Sequence, residues 1–246
     1  MLCVVIPTYN EAKSIPELLS RLFALNLSDL YVLIIDDSSP DGTALIAKEM
    51  SRKFGDRVFV YSRGRKEGLG TAYILGFAKV FDMFSDNLSE LYVAQMDADL
   101  SHKPEHIPCM LTALEKYDVV VGSRYTPRGT SDAREILWRR VLSRSGNKSI
   151  RWISRIPVRD VTSGFKVFRS EALMKINWDL FECQGFGFQV EVAYQCHKLN
   201  YRVYEYPIEF VDRINGCSKM SFSIIFEALW KISQMRLKRV FKNFLQ

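Results

Sequence analysis

Two aspartates, Asp97 and Asp99, are the residues of this sequence whose type and spacing point most directly to chemistry. They follow the apolar run 91–96, which is typical of a buried strand in a parallel sheet, so they lie where that strand ends. In an extended segment both carboxylates point to the same side, and a shared divalent cation would relieve their repulsion. Mg²⁺ or Mn²⁺ suits such oxygen ligands, usually with substrate phosphates completing the shell. The alternative is that Asp99 or Ser101 only caps a helix beginning near Pro104.

The elements that must position these aspartates alternate between strand and helix. Strand patterns cover 2–6, 31–35, 58–61 and 91–96, a strand and turn cover 118–124, and helical patterns separate them. This order predicts a mostly parallel sheet with right-handed crossovers and helices on both faces. Because ligands bind at the carboxyl ends of such strands, we expect three polar clusters, 7–11, 36–37 and 97–99, to meet at one edge.

The second half of the chain departs from this alternation. It predicts a basic helix over 136–154, a turn and short strand over 160–168, a helix over 188–199, a strand over 202–210 and a basic loop over 211–219. Residues 222–244 carry apolar side chains at helical spacing, with basic side chains on the other faces. The predicted fold class is therefore α/β, with one domain over 1–220 and a C-terminal amphipathic helix over 221–246.

Composition narrows the setting of the protein. With 246 residues, 48% of them hydrophobic, the chain can bury a core. Its five cysteines are odd in number and lack any C-x-x-C pair, so we expect neither a disulfide framework nor a zinc site, but a reducing compartment. No apolar run approaches the roughly 20 residues that span a bilayer. The first predicted strand leaves no room for a signal peptide, so export is not expected.

Positive charge is concentrated in one stretch of a chain whose net charge is +6. Residues 124–159 contain ten arginines and lysines against Asp132 and Glu135 alone. Such a block forms a solvated face or an anion site. Nucleic acid is not an expected partner, because interleaved stacking aromatics and recognition-helix or zinc patterns are missing.

Seven motifs in this sequence resemble those of a known family. Four of them are similar to the nucleotide-sugar half of family 2 glycosyltransferases: Pro7-Thr8-Tyr9-Asn10-Glu11, Asp36-Asp37-Ser38-Ser39-Pro40-Asp41-Gly42, Gly68-Leu69-Gly70-Thr71-Ala72-Tyr73 and Met96-Asp97-Ala98-Asp99-Leu100-Ser101-His102. Three later ones, 122–125, 162–165 and 211–213 with 218–219, resemble the dolichyl-phosphate mannosyltransferases within that family. The resemblance runs in order from Leu2 to about Lys219.

The resemblance implies a Rossmann-like GT-A fold, with a nucleotide-sugar half over 1–125 and an acceptor half over 126–220. It implies transfer of mannose from GDP-mannose to dolichyl or another polyprenyl phosphate, with inversion, giving dolichyl β-D-mannosyl phosphate and GDP. The implied metal is Mg²⁺ or Mn²⁺. Some relatives carry a metal-reaching glutamine at the position of Ser101, which predicts one more water on the metal here.

The resemblance also implies a set of site residues, carried over by matching position. Pro7, Tyr9, Glu11, Ile35 and Asp37 would hold the guanosine; Asp97, Ala98 and Asp99 the diphosphate and metal; Arg124, Arg139 and Ser143 the acceptor phosphate; Arg213 and Lys219 would complete the charge shell with Arg124. Asp97, Asp99, Arg124 and Arg213 are expected to act in catalysis. A phosphate monoester, with a second pKa of roughly 6, is already an anion at neutral pH, so it requires cations rather than a general base.

The resemblance places the enzyme peripherally at the cytoplasmic face of a membrane, the endoplasmic reticulum in a eukaryote. The helix predicted over 221–246 would lie in the interface, or dock on a small membrane-spanning partner subunit. Two alternatives stay open at this point. One is the same reaction with another sugar nucleotide such as UDP-glucose, and the other is a non-catalytic nucleotide-sugar-binding subunit, against which the presence of both Asp97 and Asp99 argues.

Overall fold

The computed structural model describes residues 1–131, 137–182, 185 and 187–210, with backbone alone at 131 and 137–142. Its strands are β1 (Leu2–Thr8), β2 (Leu30–Asp36), β3 (Val58–Ser62), β4 (Tyr92–Gln95), β5 (Val119–Ser123), β6 (Thr130–Ser131), β7 (Lys166–Arg169), β8 (Val203–Pro207) and β9 (Glu209–Phe210). Its α-helices are α1 (Ile15–Phe23), α2 (Thr43–Ser51), α3 (Leu69–Met83), α4 (Ile107–Ala113), α5 (Leu137–Ser154), α6 (Ser170–Met174) and α7 (Gly187–Lys198). Short 3₁₀ helices cover Ser85–Glu90, Pro104–His106 and Trp178–Leu180.

Seven strands form the main sheet, in the order β3-β2-β1-β4-β7-β5-β8, and β6 and β9 form a separate pair. All neighbours in the main sheet are parallel except β7, which runs antiparallel to both β4 and β5. The prediction of a mostly parallel α/β sheet is therefore confirmed. The order in which strands are added reverses between β1 and β4, and a crevice for ligands forms at such a reversal.

Alternate residues of the strands face opposite layers of helices, as the period of two requires. Val4 and Ile6 of β1 belong to the core cluster that includes residues of α1, α2 and α4. Cys3 and Val5 belong to the opposite cluster, with residues of α3, α6 and α7. The predicted helices on both faces are thus present, and together they bury the sheet.

Several element ends differ from the sequence patterns. The helix expected near Pro104 is a 3₁₀ turn followed by α4, and the strand expected over 202–210 is divided into β8 and β9. No helix among the described residues has both the length and the apolarity to cross a membrane. The predicted loop over 211–219 and helix over 221–246 lie outside the described residues.

Candidate functional site

Left-handed backbone marks each of the three loops at the carboxyl edge of β1, β2 and β4. Asn10, Ser38 and Leu100 have φ of 62°, 54° and 64°. Asparagine accepts this conformation readily, but a buried leucine does so only at a cost of roughly 1–3 kcal/mol. Leu100 directly follows Asp99. Contacts with the rest of the protein must therefore hold the backbone of the Asp97–Asp99 loop in a conformation that is unfavourable for the isolated segment.

The first two of these loops are tied together by hydrogen bonds. The amide of Asp37 donates to the carbonyl of Thr8 at 3.0 Å, and the amide of Asn10 donates to Oγ of Ser39 at 3.0 Å. The carboxylate of Asp36 accepts from the Thr8 and Ser39 hydroxyls at 2.8 and 2.6 Å. The structure therefore joins the predicted clusters 7–11 and 36–37, and Asp36 orients the turn that follows it.

The carboxylate of Asp97 is half-buried and has close neighbours on α3 and in the turn before β7. The hydroxyl of Tyr73 on α3 donates to its Oδ1 at 3.4 Å. Burial raises the pKa of Tyr73, with the charge of Asp97 adding to the effect, so the hydroxyl stays protonated. On the other side, a Cβ added to Gly164 would lie 3.3 Å from both carboxylate oxygens of Asp97. Only glycine leaves this approach open.

The carboxylate of Asp99 is buried, with 7% of the residue exposed. Its Oδ1 accepts the amide of Ser101 at 3.0 Å, the contact expected of an aspartate that organises its own turn. The hydroxyl of Ser101 is buried and has no hydrogen-bond partner within the described part of the chain. A buried hydroxyl without a partner is costly, so this atom is a candidate ligand contact.

His102 supports the aspartate loop from beneath. Its Nδ1 accepts the amide of Asp97 at 3.1 Å, and its ring stacks on Phe165 with centroids 5.2 Å apart. Burial lowers the pKa of His102, although the charges of Asp97 and Asp99 oppose this shift. Because Nδ1 accepts a hydrogen bond, the ring is neutral with its proton on Nε2, and it acts as a support rather than as a cation.

The donor set at this loop suits a hard cation. Over the described ranges, no group of three or more histidine, cysteine or acidic side chains gathers as it would around a metal. The two carboxylates with the Ser101 hydroxyl are oxygen donors only, which suits Mg²⁺ or Mn²⁺ held by one or two carboxylates and completed by water and phosphate. The residues present therefore fit the predicted metal.

Asp37, predicted to hold the nucleoside, is engaged by a neighbouring loop. Its carboxylate forms an ion pair with Arg63, and the two side chains are 7% and 5% exposed. The amides of Glu67 and Gly68 donate to Asp37 Oδ2 at 3.3 and 3.2 Å. Arg63 also donates to the Gly68 carbonyl at 3.0 Å, so Asp37 and Arg63 together close the loop 63–68 over the end of β2.

The remaining residues predicted for the nucleoside lie at different depths. Tyr9 is half-buried, with the Lys66 ammonium 3.5 Å from its ring centroid. The carboxylate of Glu11 accepts the Ser14 hydroxyl at 2.8 Å. Pro7 and Ile35 face each other in the β1–β2 register, but Ile35 is fully buried, and Ala98 is 3% exposed. Pro7, Tyr9 and Glu11 are thus half-exposed at the carboxyl edge of the sheet, whereas Ile35 is buried in its core.

Arg124, predicted to be a catalytic cation, is paired within the protein. Its guanidinium donates to Asp160 Oδ2 at 2.8 Å and Oδ1 at 2.9 Å, and to the Thr162 hydroxyl at 2.9 Å. Burial would raise the pKa of Asp160, but the charge and hydrogen bonds of Arg124 outweigh it and hold that pKa below its usual value. Sequence reasoning did not anticipate this pairing, because 36 residues separate the two partners.

The predicted acceptor residues are described only in part. Ser143 on α5 shares a 2.7 Å hydrogen bond with the Tyr125 hydroxyl, which links α5 to the turn after β5. Arg139 lies in α5, where the backbone alone is described. Arg213 and Lys219 lie outside the described residues. Their roles stay predictions.

Arg63 and Tyr73 are site residues that sequence reasoning missed. Tyr73 is the last residue of the motif 68–73, and the pattern that could have indicated it is a hydroxyl-bearing side chain in the apolar first turns of a helix. Arg63 directly follows a strand, as the polar clusters do. Neither pattern predicts the partner residue: Arg63 pairs with Asp37, 26 residues away, and Tyr73 bonds to Asp97, 24 residues away.

These features define a class: an α/β protein with an acidic strand edge that suits a metal and a phosphorylated ligand. The model of "Glycosyl transferase family 2" matches residues 3–176. The chain belongs to glycosyl transferase family 2. It is 36% identical over 237 residues to a polyprenol monophosphomannose synthase of Mycolicibacterium smegmatis, covering 96% of this chain and 86% of that protein. It is 39% identical to an undecaprenyl-phosphate mannosyltransferase of Micrococcus luteus, covering 95% and 93%.

Solved structures confirm the fold. Mannosyl-3-phosphoglycerate synthase from Rubrobacter xylanophilus superposes with a TM-score of 0.65 at 18% identity, covering 98% of this chain and 75% of that one. Glucosyl-3-phosphoglycerate synthase from Mycobacterium tuberculosis, in complex with Mn²⁺, UDP-glucose and phosphoglyceric acid, gives 0.64 at 16% identity, covering 95% and 80%. At these identities the likeness concerns the fold alone.

Proposed function

We propose that this chain transfers mannose from GDP-mannose to a polyprenyl phosphate, dolichyl phosphate in a eukaryote, with inversion at the sugar C1. The products are the β-linked mannosyl phosphate lipid and GDP. The observation that carries the proposal is the near-complete coverage by two relatives named for polyprenyl-phosphate mannose transfer: they match 96% and 95% of this chain.

The donor nucleoside is assigned to the loops after β1 and β2. Tyr9 and Glu11 are half-exposed there, and Asp37 lies beside them with its carboxylate fixed by Arg63. Because the loop 63–68 is anchored on Asp37 by an ion pair and two hydrogen bonds, this part of the site is formed without the nucleotide. A preformed site lowers the entropy lost on binding.

The diphosphate is assigned to the Asp97–Asp99 loop. When bound there, Mg²⁺ or Mn²⁺ supplies the positive charge that stabilises the leaving diphosphate. The chain itself orients the carboxylates: the Tyr73 hydroxyl holds Asp97, and the Ser101 amide holds Asp99. Fixed orientation matters because charge stabilisation is effective only where the groups need no rearrangement during the reaction.

The acceptor phosphate is assigned to Arg139 and Ser143, which lie four residues apart and therefore on one face of α5. Arg213 and Lys219 are assigned to the same charge shell. The charge of Arg124 is largely offset by Asp160, so its proposed contribution is to shape the site as much as to neutralise phosphate. Direct attack of the phosphate oxygen on C1 displaces GDP from the opposite side, which inverts the anomeric centre.

Helix α5 also supports a peripheral position at a membrane. From Leu137 to Arg159 the sequence contains no acidic residue, and Arg144, Lys148 and Arg155 are exposed. Trp152 is 82% exposed on the same helix. Tryptophan and basic side chains together suit the interface of an anionic bilayer. An anchoring role for residues 221–246, or for a separate membrane-spanning subunit, remains part of the proposal.

The test is transfer of labelled mannose from GDP-mannose by the purified protein, with Mg²⁺ or Mn²⁺ and undecaprenyl or dolichyl phosphate. We expect label in the organic extract and a β-linkage by NMR. Asp99→Asn should abolish the signal, whereas Asp82→Asn, which removes an exposed carboxylate on α3, should retain it. Label confined to water, or better transfer from UDP-glucose, would overturn the proposal.

A further inference from the structure

Lys166 is a fully buried cation in the middle of the sheet. It begins β7, between β4 and β5, and is 1% exposed. Its ammonium donates to the Ser163 carbonyl and, at 2.6 Å, to Gln189 Oε1. Both acceptors are uncharged, and burial lowers the pKa of Lys166 to about 8. A buried ammonium whose hydrogen-bond acceptors are both uncharged is costly to hold.

Those contacts converge on one turn. Gln189 Oε1 on α7 also accepts the Gln95 side-chain amide at 2.6 Å. The same Gln95 nitrogen donates to the Gly164 carbonyl at 3.1 Å. The carbonyls of Ser163 and Gly164 are therefore each bound by a buried donor, and both donors share Gln189 as acceptor. The turn is held directly by residues of β4 and β7, and Gln189 on α7 links these two donors.

The Ser163–Gly164 turn lies next to the carboxylate of Asp97. A Cβ added to Gly164 would lie 3.3 Å from both carboxylate oxygens of Asp97 and 3.3 Å from His102 Cε1. Because residue 164 has no side chain, the backbone of the turn lies directly beside the carboxylate. Movement of this turn toward or away from the carboxylate would change the space in which Asp97 is oriented.

We propose that Gln95, Lys166 and Gln189 form a buried clamp that positions Asp97 for its divalent cation by fixing the Ser163–Gly164 turn against the carboxylate. The inference rests on the proposed function, which assigns a metal to Asp97. The three residues are positioning residues, since they act on Asp97 only through the turn. Direct hydrogen-bond partners of a metal ligand change metal affinity roughly 10- to 100-fold when removed, and the clamp, which lies one contact further away, is expected to act at the lower end of that range.

The test measures Mn²⁺ affinity of the full chain by the EPR signal of free Mn²⁺, with and without GDP. Lys166→Met and Gln189→Leu should weaken binding at least tenfold, and each should lower kcat more than it raises KM for the lipid phosphate. Gln189→Glu should restore affinity to within about twofold of wild type, because it keeps the Oε1 acceptor and its charge is paired with the Lys166 ammonium. Gln189 Nε2 has no hydrogen-bond partner in the described part of the chain, so the exchange sacrifices no contact there.

The matched control is Val192→Ala, which truncates a fully buried apolar side chain on the same helix and removes no hydrogen bond of the clamp. It should lower the melting temperature and leave Mn²⁺ affinity unchanged. Equal affinity in wild type, Lys166→Met and Gln189→Leu would overturn the inference, as would Gln189→Glu binding as poorly as Gln189→Leu. If Lys166→Met does not fold, the two Gln189 variants decide. A wild-type protein that binds no Mn²⁺ would instead overturn the metal assignment on which the inference rests.

Discussion

Replacing Arg63 by methionine should destabilise the protein and open the loop 63–68. The change removes the guanidinium that pairs with Asp37 and that donates to Thr71 Oγ1 at 2.8 Å and the Gly68 carbonyl at 3.0 Å. The Asp37 side chain is 7% exposed, so its charge would lose its partner without gaining water. Removing one member of a buried ion pair costs about 3–5 kcal/mol of unfolding free energy. For a chain of this size that corresponds to roughly 6–20 °C in Tm.

The assay is urea unfolding followed by circular dichroism, with GDP binding measured by calorimetry. Arg65→Met is the matched control, because Arg65 lies in the same loop with 83% of its side chain exposed, and we expect a change below about 0.5 kcal/mol. The double variant Arg63→Met/Asp37→Asn should be at least about 1 kcal/mol more stable than Arg63→Met alone, since no buried charge is left unpaired. An Arg63→Met protein within 1 kcal/mol of wild type would refute the reasoning.

Three further outcomes are expected. Asp99→Ala should reduce mannose transfer by more than roughly 10³-fold, and the wild-type enzyme should lose transfer in metal-depleted buffer; full activity there would refute the metal role. Gly76→Ala should cost about 1–3 kcal/mol in urea unfolding, because its Cβ would lie 2.4 Å from Val5 Cγ1, while Gly64→Ala has open space and should be neutral. Because the folded-state pKa of Lys166 is lowered from 10.5 to about 8, the unfolded state binds more protons between these values, so stability should rise with pH across that window. Lys166→Met should lack this rise, about 3 kcal/mol in total, when its pH–stability curve is compared with that of wild type.

Much of the architecture follows from local patterns. Apolar runs and their spacing predict the strands and helices of the first half, because burial imposes a period of two on strands and 3.6 on helices. The same patterns put Asp36, Asp37, Asp97 and Asp99 at strand ends, and parallel order then brings those ends to one edge. The motifs themselves led to the family that the comparisons confirm.

Which side chains pair with each other across the fold depends on how the elements pack. Local patterns place Asp37 and Arg124 at strand ends, but they do not indicate that each side chain is paired with a residue 26 or 36 positions away. The sequence showed a lysine in the strand pattern at 166, yet not that β7 inserts antiparallel between β4 and β5 and buries that ammonium against Gln189. The physical reason is that periodicity reports which face of an element is buried, whereas a hydrogen bond depends on which elements become neighbours and in what register.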